Sequence, residues 1–136
     1  MLRRIENWTP VSVGSISMGQ EVGVTPLQMT SAVSAMANGG WIIRPHVVRA
    51  MRQGTQMTEQ PEAPRRRVIR ETTSATMRRI MEQVVLNGTG KLARLDGYTS
   101  AGKTGTAQKF DITTGHYSAH DLIASFVGFA PINTPA

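Results

Sequence analysis

The fold and function of this chain are indicated most strongly by one run of ten residues, Ser100-Ala101-Gly102-Lys103-Thr104-Gly105-Thr106-Ala107-Gln108-Lys109. Its centre places a lysine, two threonines and a glycine in four consecutive positions. The lysine supplies a positive charge, the threonines supply hydrogen-bond donors, and the glycine leaves the backbone open to another chain or ligand. Threonines alternating with glycines predict a strand over 99–108. The run therefore predicts a strand that holds an anion.

The same residues also match the phosphate-loop pattern GxxxxGK[ST] over 97–104. That pattern works only between a buried apolar strand and the start of a helix. Residues 90–96 are too charged for such a strand, and Gly105 and Thr106 disfavour a helix after the lysine. A P-loop nucleotide-binding protein is therefore a disfavoured alternative.

Ser100 and Lys103 match the SxxK spacing of serine acyl enzymes, in which a lysine activates a serine one helical turn away. Residues three apart share a face on a helix, but on a strand they point to opposite sides of the sheet. With a strand over 99–108, Lys103 cannot reach the Ser100 hydroxyl. We interpret Ser100 as an ordinary strand residue.

His116 and His120, followed by Asp121, have the spacing of a helical metal site. Gly115 and the threonines before it predict a loop instead, and zinc needs a third ligand with supporting hydrogen bonds. We interpret the histidines as exposed loop residues. The sequence predicts neither a metal nor another cofactor.

Two helices are predicted from apolar spacing and capping residues. The first begins at Thr25, where Pro26 and Gln28 complete an N-terminal signal, and it ends at Asn38-Gly39-Gly40. The second ends at Asn87-Gly88, with Arg78 and Arg79 facing solvent. Their predicted core residues recur at helical spacing and are Met29, Ala32, Val33, Met36 and Ala37 in the first helix and Met77, Ile80, Met81, Val84 and Val85 in the second.

Strands are predicted over 41–48, 99–108 and 122–130, the last two as an antiparallel pair, and both helices are predicted to pack against one sheet. The polar connection 109–121 is predicted to be an exposed, mobile loop. Residues 52–64, which include two prolines, are predicted to be a surface excursion. Trp8 and Trp41 are predicted to be buried anchors.

The chain has 136 residues, 40% of them hydrophobic, which is enough for one small globular core. Its 15 Lys and Arg against 9 Asp and Glu give a formal net charge of +6. Nucleic-acid binding is disfavoured because aromatic residues make up only 5% and no binding motif occurs. Basic runs such as 65–67 are predicted to be a solvated surface, suited to an anionic wall or phospholipid headgroups.

Cysteine is absent, and this absence does not exclude any cellular compartment for the protein. The longest mostly apolar run, 122–132, is shorter than the roughly 20 residues that cross a bilayer. The first seven residues contain no signal core.

Several motifs agree with one family. Lys103-Thr104-Gly105-Thr106 stands inside the run above, and the other matching stretches are Ser-Met-Gly-Gln-Glu-Val-Gly-Val-Thr-Pro-Leu-Gln-Met at 17–29, Ala-Asn-Gly-Gly at 37–40, Arg-Pro-His at 44–46 and Ala-Ser-Phe-Val-Gly-Phe-Ala-Pro at 124–131. Over nearly its whole length the chain resembles the C-terminal part of the transpeptidase domain of class B penicillin-binding proteins, division-type members most of all. The combination is far more specific than a KTG motif alone.

The resemblance implies an α/β (α+β) fold of the serine transpeptidase and β-lactamase type, with an antiparallel sheet packed against helices. The family's SxxK and SxN motifs precede this region, and no credible copy of either is found in the sequence. The family's last strand and closing helix would follow residue 136. We therefore expect residues 1–136 to be a C-terminal fragment of a penicillin-binding transpeptidase domain.

The resemblance also implies the activity of a serine-type D,D-transpeptidase that cross-links peptidoglycan stem peptides. In that mechanism Lys103 brings positive potential into the cleft and assists proton transfer. The hydroxyls of Thr104 and Thr106 bind the terminal carboxylate, and Gly105 lets the stem peptide lie along the strand. The amide of Thr106 stabilises the oxyanion. Lys103 and Thr106 are thus the expected catalytic residues, and all four residues are expected to bind substrate.

The implied partners are the D-alanyl-D-alanine ends of stem peptides, the β-lactams that mimic them, and a membrane-embedded glycan polymerase, with no nucleic acid. The full protein would be anchored in the cytoplasmic membrane, with this domain outside the cytoplasm and the anchor beyond the present sequence. A noncatalytic penicillin-sensing or interaction domain of the same fold is the alternative.

We predict that residues 1–136, expressed alone, are catalytically inactive and are not covalently labelled by a fluorescent penicillin, because they contain no activated serine. In-gel fluorescence after incubation with the penicillin measures the labelling. A fluorescent band at the mass of the chain would contradict the prediction.

Overall fold

A computed structural model of the chain describes residues 4–135. The α-helices of this part are α1 (Ser12–Ser17), α2 (Pro26–Ala37) and α3 (Glu71–Leu86), and short 3-10 helices lie at Ile5–Asn7 and Lys91–Ala93. The strands pair antiparallel, and they are β1 (Trp41–Ile43) with β4 (Arg65–Arg67), β2 (Ala50–Gln53) with β3 (Gln56–Glu59), and β5 (Ala101–Asp111) with β6 (His116–Phe129). The α+β class and the antiparallel pairing are as predicted.

The first predicted helix is confirmed as α2, including its N-terminal cap. Thr25 Oγ1 accepts a hydrogen bond from the Gln28 amide at 3.2 Å, and Gln28 Oε1 accepts one from the Thr25 amide at 2.9 Å. This reciprocal arrangement satisfies two of the amides that a helix start leaves without partners. The helix stops before Gly39 and Gly40, whose φ angles of 85° and 103° favour glycine.

The predicted core face of α2 is partly wrong. Val33 and Ala37 are buried as predicted, but Met29 is 43% exposed and Ala32 is exposed, while Ala35 is buried. The neighbouring elements α3, β1 and β6 cover the C-terminal half of α2 from several sides. Its N-terminal half lies largely in solvent. Burial here follows position along the helix more than position on one face.

In α3, Met81 and Val85 are buried as predicted, whereas Ile80 is 52% exposed. The prediction that Arg78 faces solvent is wrong. Its side chain is half-buried, and its guanidinium donates to the carbonyl oxygens of Ala37 at 3.5 Å and of Ile132 at 3.4 Å. The positive charge thereby lies at the C-terminal end of α2, where the helix dipole favours a cation.

The two longer helices are joined by a partly buried hydrogen bond. Ser74 of α3 is 0% exposed, and its hydroxyl donates to the carbonyl oxygen of Met36 in α2 at 2.6 Å. Around this crossing, the core cluster of Val33, Met81, Ala101 and Ile132 brings both helices together with the start of β5. Both helices therefore pack on the β5–β6 sheet, α3 against β5 and α2 against β6, as predicted.

The strand predicted over 41–48 is shorter than expected, and its partner was missed. β1 ends at Ile43 and pairs with β4, the basic run, whose residues are exposed as predicted. Trp41 is half-buried because the guanidinium carbons of Arg65 and Arg67 lie 5.1 Å and 4.5 Å from its ring centroid. Cation–π contact and cross-strand pairing explain why three consecutive arginines form a strand. Trp8 is likewise half-buried.

Residues 52–64 lie on the surface as predicted, and residues 52–59 of this stretch belong to the hairpin of β2 and β3. The prediction of a mobile loop over 109–121 is wrong, because β5 and β6 continue to a tight turn at 112–115. Phe110 and Tyr117 pair edge to face across this extension, with ring centroids 5.3 Å apart. Residues 118–121 bulge from β6, where Ser118 Oγ accepts from the amide of Asp121 at 2.9 Å.

We predict that Ser74→Ala lowers the free energy of unfolding by about 1–3 kcal/mol, because it leaves the partly buried Met36 carbonyl oxygen without its donor. Thr76→Ala is the matched control, since Thr76 lies on the same helix, is exposed, and has a hydroxyl that donates to the Thr72 carbonyl oxygen of its own helix. Chemical denaturation of both variants measures the difference. Equal midpoints for the two variants would contradict a linking role for Ser74.

Candidate active site

The predicted site residues Lys103, Thr104, Gly105 and Thr106, here called the KTGT residues, lie on β5 as expected. They pair in register with Val127, Phe126, Ser125 and Ala124 of β6. Lys103, Gly105 and Thr106 are exposed, and Thr104 is half-buried. Within residues 4–135, β5 has no strand partner on its other edge. The KTGT residues therefore stand on an accessible sheet edge.

A pair of glycines brings the start of β5 close to its neighbours. Gly102 is buried opposite Gly128, and a Cβ at position 102 would overlap the ring of Phe126. A Cβ at position 128 would come within 2.7 Å of the Ala101 carbonyl oxygen. The phenylalanine ring thus takes the space that two side chains would fill. This packing fixes the strand immediately before Lys103.

The side chain of Lys103 remains beside its own strand. Its Nζ donates to the carbonyl oxygen of Thr104 at 2.8 Å. One bond leaves two of the three ammonium donors available. The arrangement can present positive charge to an anion that approaches the edge of β5.

Thr104 makes a contact that the sequence did not predict. Its Oγ1 lies 2.8 Å from Oγ1 of Thr89, a residue in the segment that follows α3. Thr89 stands between Gly88 and Gly90, just after the predicted helix end at Asn87-Gly88, and no role was predicted for it. An isolated hydroxyl between two glycines was the available signal. This signal does not indicate which residue the hydroxyl contacts in the folded protein.

Gly105 leaves room on the β6 side of the strand. The hydroxyl of Ser125 donates to the Gly105 carbonyl oxygen at 3.3 Å, and a Cβ at position 105 would come within 2.7 Å of that hydroxyl. Any larger residue here would displace Ser125. The glycine therefore leaves this part of β5 without a projecting side chain.

The alternatives built on Ser100 and on the phosphate-loop pattern do not fit the geometry. Ser100 lies immediately before β5, not in it, and its hydroxyl donates to the Ala93 carbonyl oxygen at 3.4 Å. The residues after Lys103 continue as a strand, whereas a phosphate loop needs a helix there. The nucleotide-binding alternative lacks its structural context.

His116 and His120 lie on β6, not in a loop, and both are exposed. In the part of the chain that the structure describes, no three His, Cys, Asp or Glu side chains come together as a metal site. The same residues include no helix with the length and apolarity needed to span a bilayer.

The turn at the far end of the β5–β6 hairpin is held by Asp111. Its carboxylate accepts a hydrogen bond from the Thr113 amide at 2.8 Å, and the Gly115 amide donates to the Asp111 carbonyl oxygen at 2.9 Å. The Thr113 amide and then the Thr114 hydroxyl stabilise the charged form, so the pKa of Asp111 is lowered. Gly115, with a φ of 71°, supplies the left-handed residue that the turn requires.

Comparison with known proteins identifies the family model described as "Penicillin binding protein transpeptidase domain", which matches residues 4–136. Stage V sporulation protein D of Bacillus subtilis is 40% identical over 135 residues, covering 97% of this chain and 21% of that protein. The probable peptidoglycan D,D-transpeptidase PenA of Neisseria meningitidis is 31% identical over 137 residues, covering 99% of this chain and 22% of that protein.

Among solved structures, penicillin-binding protein 3 of Mycobacterium tuberculosis, complexed with ampicillin, matches with a TM-score of 0.91 at 31% identity. The match covers 99% of this chain and 32% of that structure. The chain spans about a fifth of the length of the curated relatives it matches. These similarities place the KTGT residues within one recognised domain type.

We predict that Asp111 titrates below the usual aspartate pKa of about 3.9 in the folded protein. Because the folded state binds this proton less tightly than the unfolded state, the stabilisation contributed by the Asp111 carboxylate is complete above about pH 5, where both states are ionised. It is lost as the pH falls through the native pKa. Carboxyl NMR titration of the folded chain and of the chain in urea measures both values. A native midpoint at or above the urea midpoint would contradict the prediction.

Proposed function

Because the chain belongs to the penicillin-binding protein transpeptidase family, we propose that it forms part of a peptidoglycan D,D-transpeptidase that works through a serine acyl enzyme. The observation that carries this proposal is the accessible edge of β5, on which Lys103–Thr106 stand. In the proposal, residues 1–136 are a C-terminal fragment of the domain. The nucleophilic serine comes from an SxxK motif in another part of the longer polypeptide.

In the first half of the reaction, the serine oxygen attacks the penultimate D-alanine carbonyl of a stem peptide. The peptide C–N bond breaks, the terminal D-alanine leaves with the proton that its nitrogen requires, and an acyl enzyme forms. In the second half, an amine of a neighbouring stem peptide attacks the ester and restores the serine. Each attack passes through a tetrahedral intermediate whose oxygen carries negative charge.

The role proposed for Thr106 is to donate its backbone N–H to that oxyanion. The Thr104 carbonyl oxygen accepts from Lys103 Nζ, which is consistent with a carbonyl on the open edge of β5. Alternate residues of a strand direct their backbone groups to the same edge, so the Thr106 amide shares this edge with Thr104. An amide without a strand partner is free to bind a developing charge, and such donors are often the largest catalytic contribution.

The substrate is proposed to bind as an added strand along the edge of β5, with main-chain hydrogen bonds to the strand. Pleating puts the side chains of Thr104 and Thr106 on one face, so their hydroxyls can bind one carboxylate together. The exposed Gly105 between them adds no side chain that would obstruct the peptide. The Lys103 ammonium attracts the carboxylate and assists proton transfer by the serine of an SxN motif.

The same residues are proposed to bind β-lactams. Solved structures of penicillin-binding protein 3 from Mycobacterium tuberculosis are described as complexes with ampicillin and with aztreonam. A β-lactam would present its ring carbonyl to the Thr106 amide and an anionic group to the threonine hydroxyls. Attack by the serine would open the lactam C–N bond and leave the ring-opened drug as an ester on the enzyme.

We further propose that the full protein is anchored in the cytoplasmic membrane and presents this domain outside the cytoplasm. Its natural ligands there are the D-alanyl-D-alanine ends of stem peptides, and its partner is a membrane-embedded glycan polymerase. A role in cell division is supported by the similarity of residues 17–29 to division-type family members.

We predict that Thr106→Pro in the full-length protein slows acylation by penicillin about a hundredfold or more, because proline has no amide hydrogen for the oxyanion. Gln108→Pro is the matched control, since Gln108 lies two residues further along β5 and directs its backbone to the same edge. Stopped-flow or gel-based acylation kinetics measure both variants. Unchanged acylation of Thr106→Pro, or an equal loss in Gln108→Pro, would remove Thr106 from the oxyanion hole.

A further inference from the structure

The contact between Thr89 and Thr104 links the segment after α3 to the KTGT residues. Building on the function proposed above, we propose that Thr89 is a positioning residue. Its hydroxyl donates to Thr104 Oγ1 and thereby leaves the Thr104 hydroxyl hydrogen free for the terminal carboxylate of the bound peptide or β-lactam. The two oxygens are 2.8 Å apart, which is the usual distance for a hydrogen bond between hydroxyls.

Thr89 is held in place by the way α3 ends. The amides of Gly88 and Gly90 donate to the Val84 carbonyl oxygen at 3.1 Å and 3.0 Å. A Cβ on Gly88 would come within 3.0 Å of Val84 backbone atoms, and one on Gly90 within 3.2 Å of the Val84 carbonyl oxygen. Both glycines are therefore packed closely against the last turn of the helix. Thr89, which lies between the two glycines, is therefore held in a fixed position beside β5.

The direction of the hydrogen bond decides what Thr104 can do. A hydroxyl has one hydrogen to donate. If Thr104 donated to Thr89, that hydrogen would be unavailable to a carboxylate, which only accepts. If Thr89 donates, the chain runs from Thr89 to Thr104 to the carboxylate, and each bond polarises and strengthens the next. A bound anion favours the second direction because it needs donors.

A purely structural role fits the surroundings of Thr89 poorly. Both hydroxyls of the pair lie in an exposed environment, where a neutral hydrogen bond exchanges readily with water and contributes little to folding stability. The backbone bonds of Gly88 and Gly90 already hold the segment without the Thr89 side chain. The contribution of the Thr89 hydroxyl should therefore appear in ligand recognition more than in stability.

The test uses the full-length protein and two ligands, a penicillin with a free carboxylate and its methyl ester. Thr89→Val keeps the shape of the side chain and removes the hydroxyl. We expect the second-order acylation constant for the free acid to fall about five- to tenfold, the scale of one lost hydrogen bond. For the ester, which has no anionic carboxylate to bind, we expect a change of less than about twofold.

Two further variants separate positioning from folding. Thr89→Ser retains the hydroxyl and should restore acylation by the free acid to within about twofold of the wild type. Thr76→Val removes an exposed threonine hydroxyl of α3 that donates to the Thr72 carbonyl oxygen of the same helix, and it should leave acylation by both ligands unchanged. An equal loss for acid and ester in Thr89→Val, or no loss for either, would overturn the inference alone. A wild-type protein that penicillin fails to acylate would overturn the proposed function and this inference with it.

Discussion

The position of the KTGT residues depends on the close approach of β5 to β6 and to the helices at one point. There Ala101 is 1% exposed in the helix-lined core, and Gly102 and Gly128 face each other beneath the ring of Phe126. Larger residues would separate the strands or force the ring away. Because protein interiors are tightly packed, this contact fixes the distance between β5 and the helices. The next residue along β5 is Lys103.

The ends of the two longer helices serve the same region in different ways. The C-terminal end of α2 is held by polar contacts from α3, in which Ser74 binds the Met36 carbonyl oxygen and Arg78 binds that of Ala37. The C-terminal end of α3 leads through its glycines to Thr89, which touches Thr104. A few hydrogen bonds thus connect the packed helices to the edge of β5. The site is therefore assembled from segments that are distant in sequence.

Several errors in the sequence interpretation share one cause, which is that local pattern cannot report what a segment packs against. Arg65–Arg67 are exposed, as predicted, but the sequence did not predict that they pair with β1 or that two of them lie over Trp41. Residues 109–121 look like a loop, yet cross-strand pairing and the Phe110–Tyr117 contact extend the hairpin. The apolar face of α2 is misplaced at Met29 because the elements that pack on this helix leave that side chain 43% exposed.

The sequence by itself determined the features that arise from local chemistry. The capping box of α2, the end of each longer helix, the strand that carries Lys103–Thr106 and its pairing with β6 were all predicted correctly, because backbone hydrogen bonding and side-chain spacing specify them. Only the tertiary structure decided which partner Arg78 and Thr104 would find and which side of each helix would be covered. Those outcomes depend on contacts between residues far apart in the chain, and their spatial proximity exists only after packing has brought the elements together.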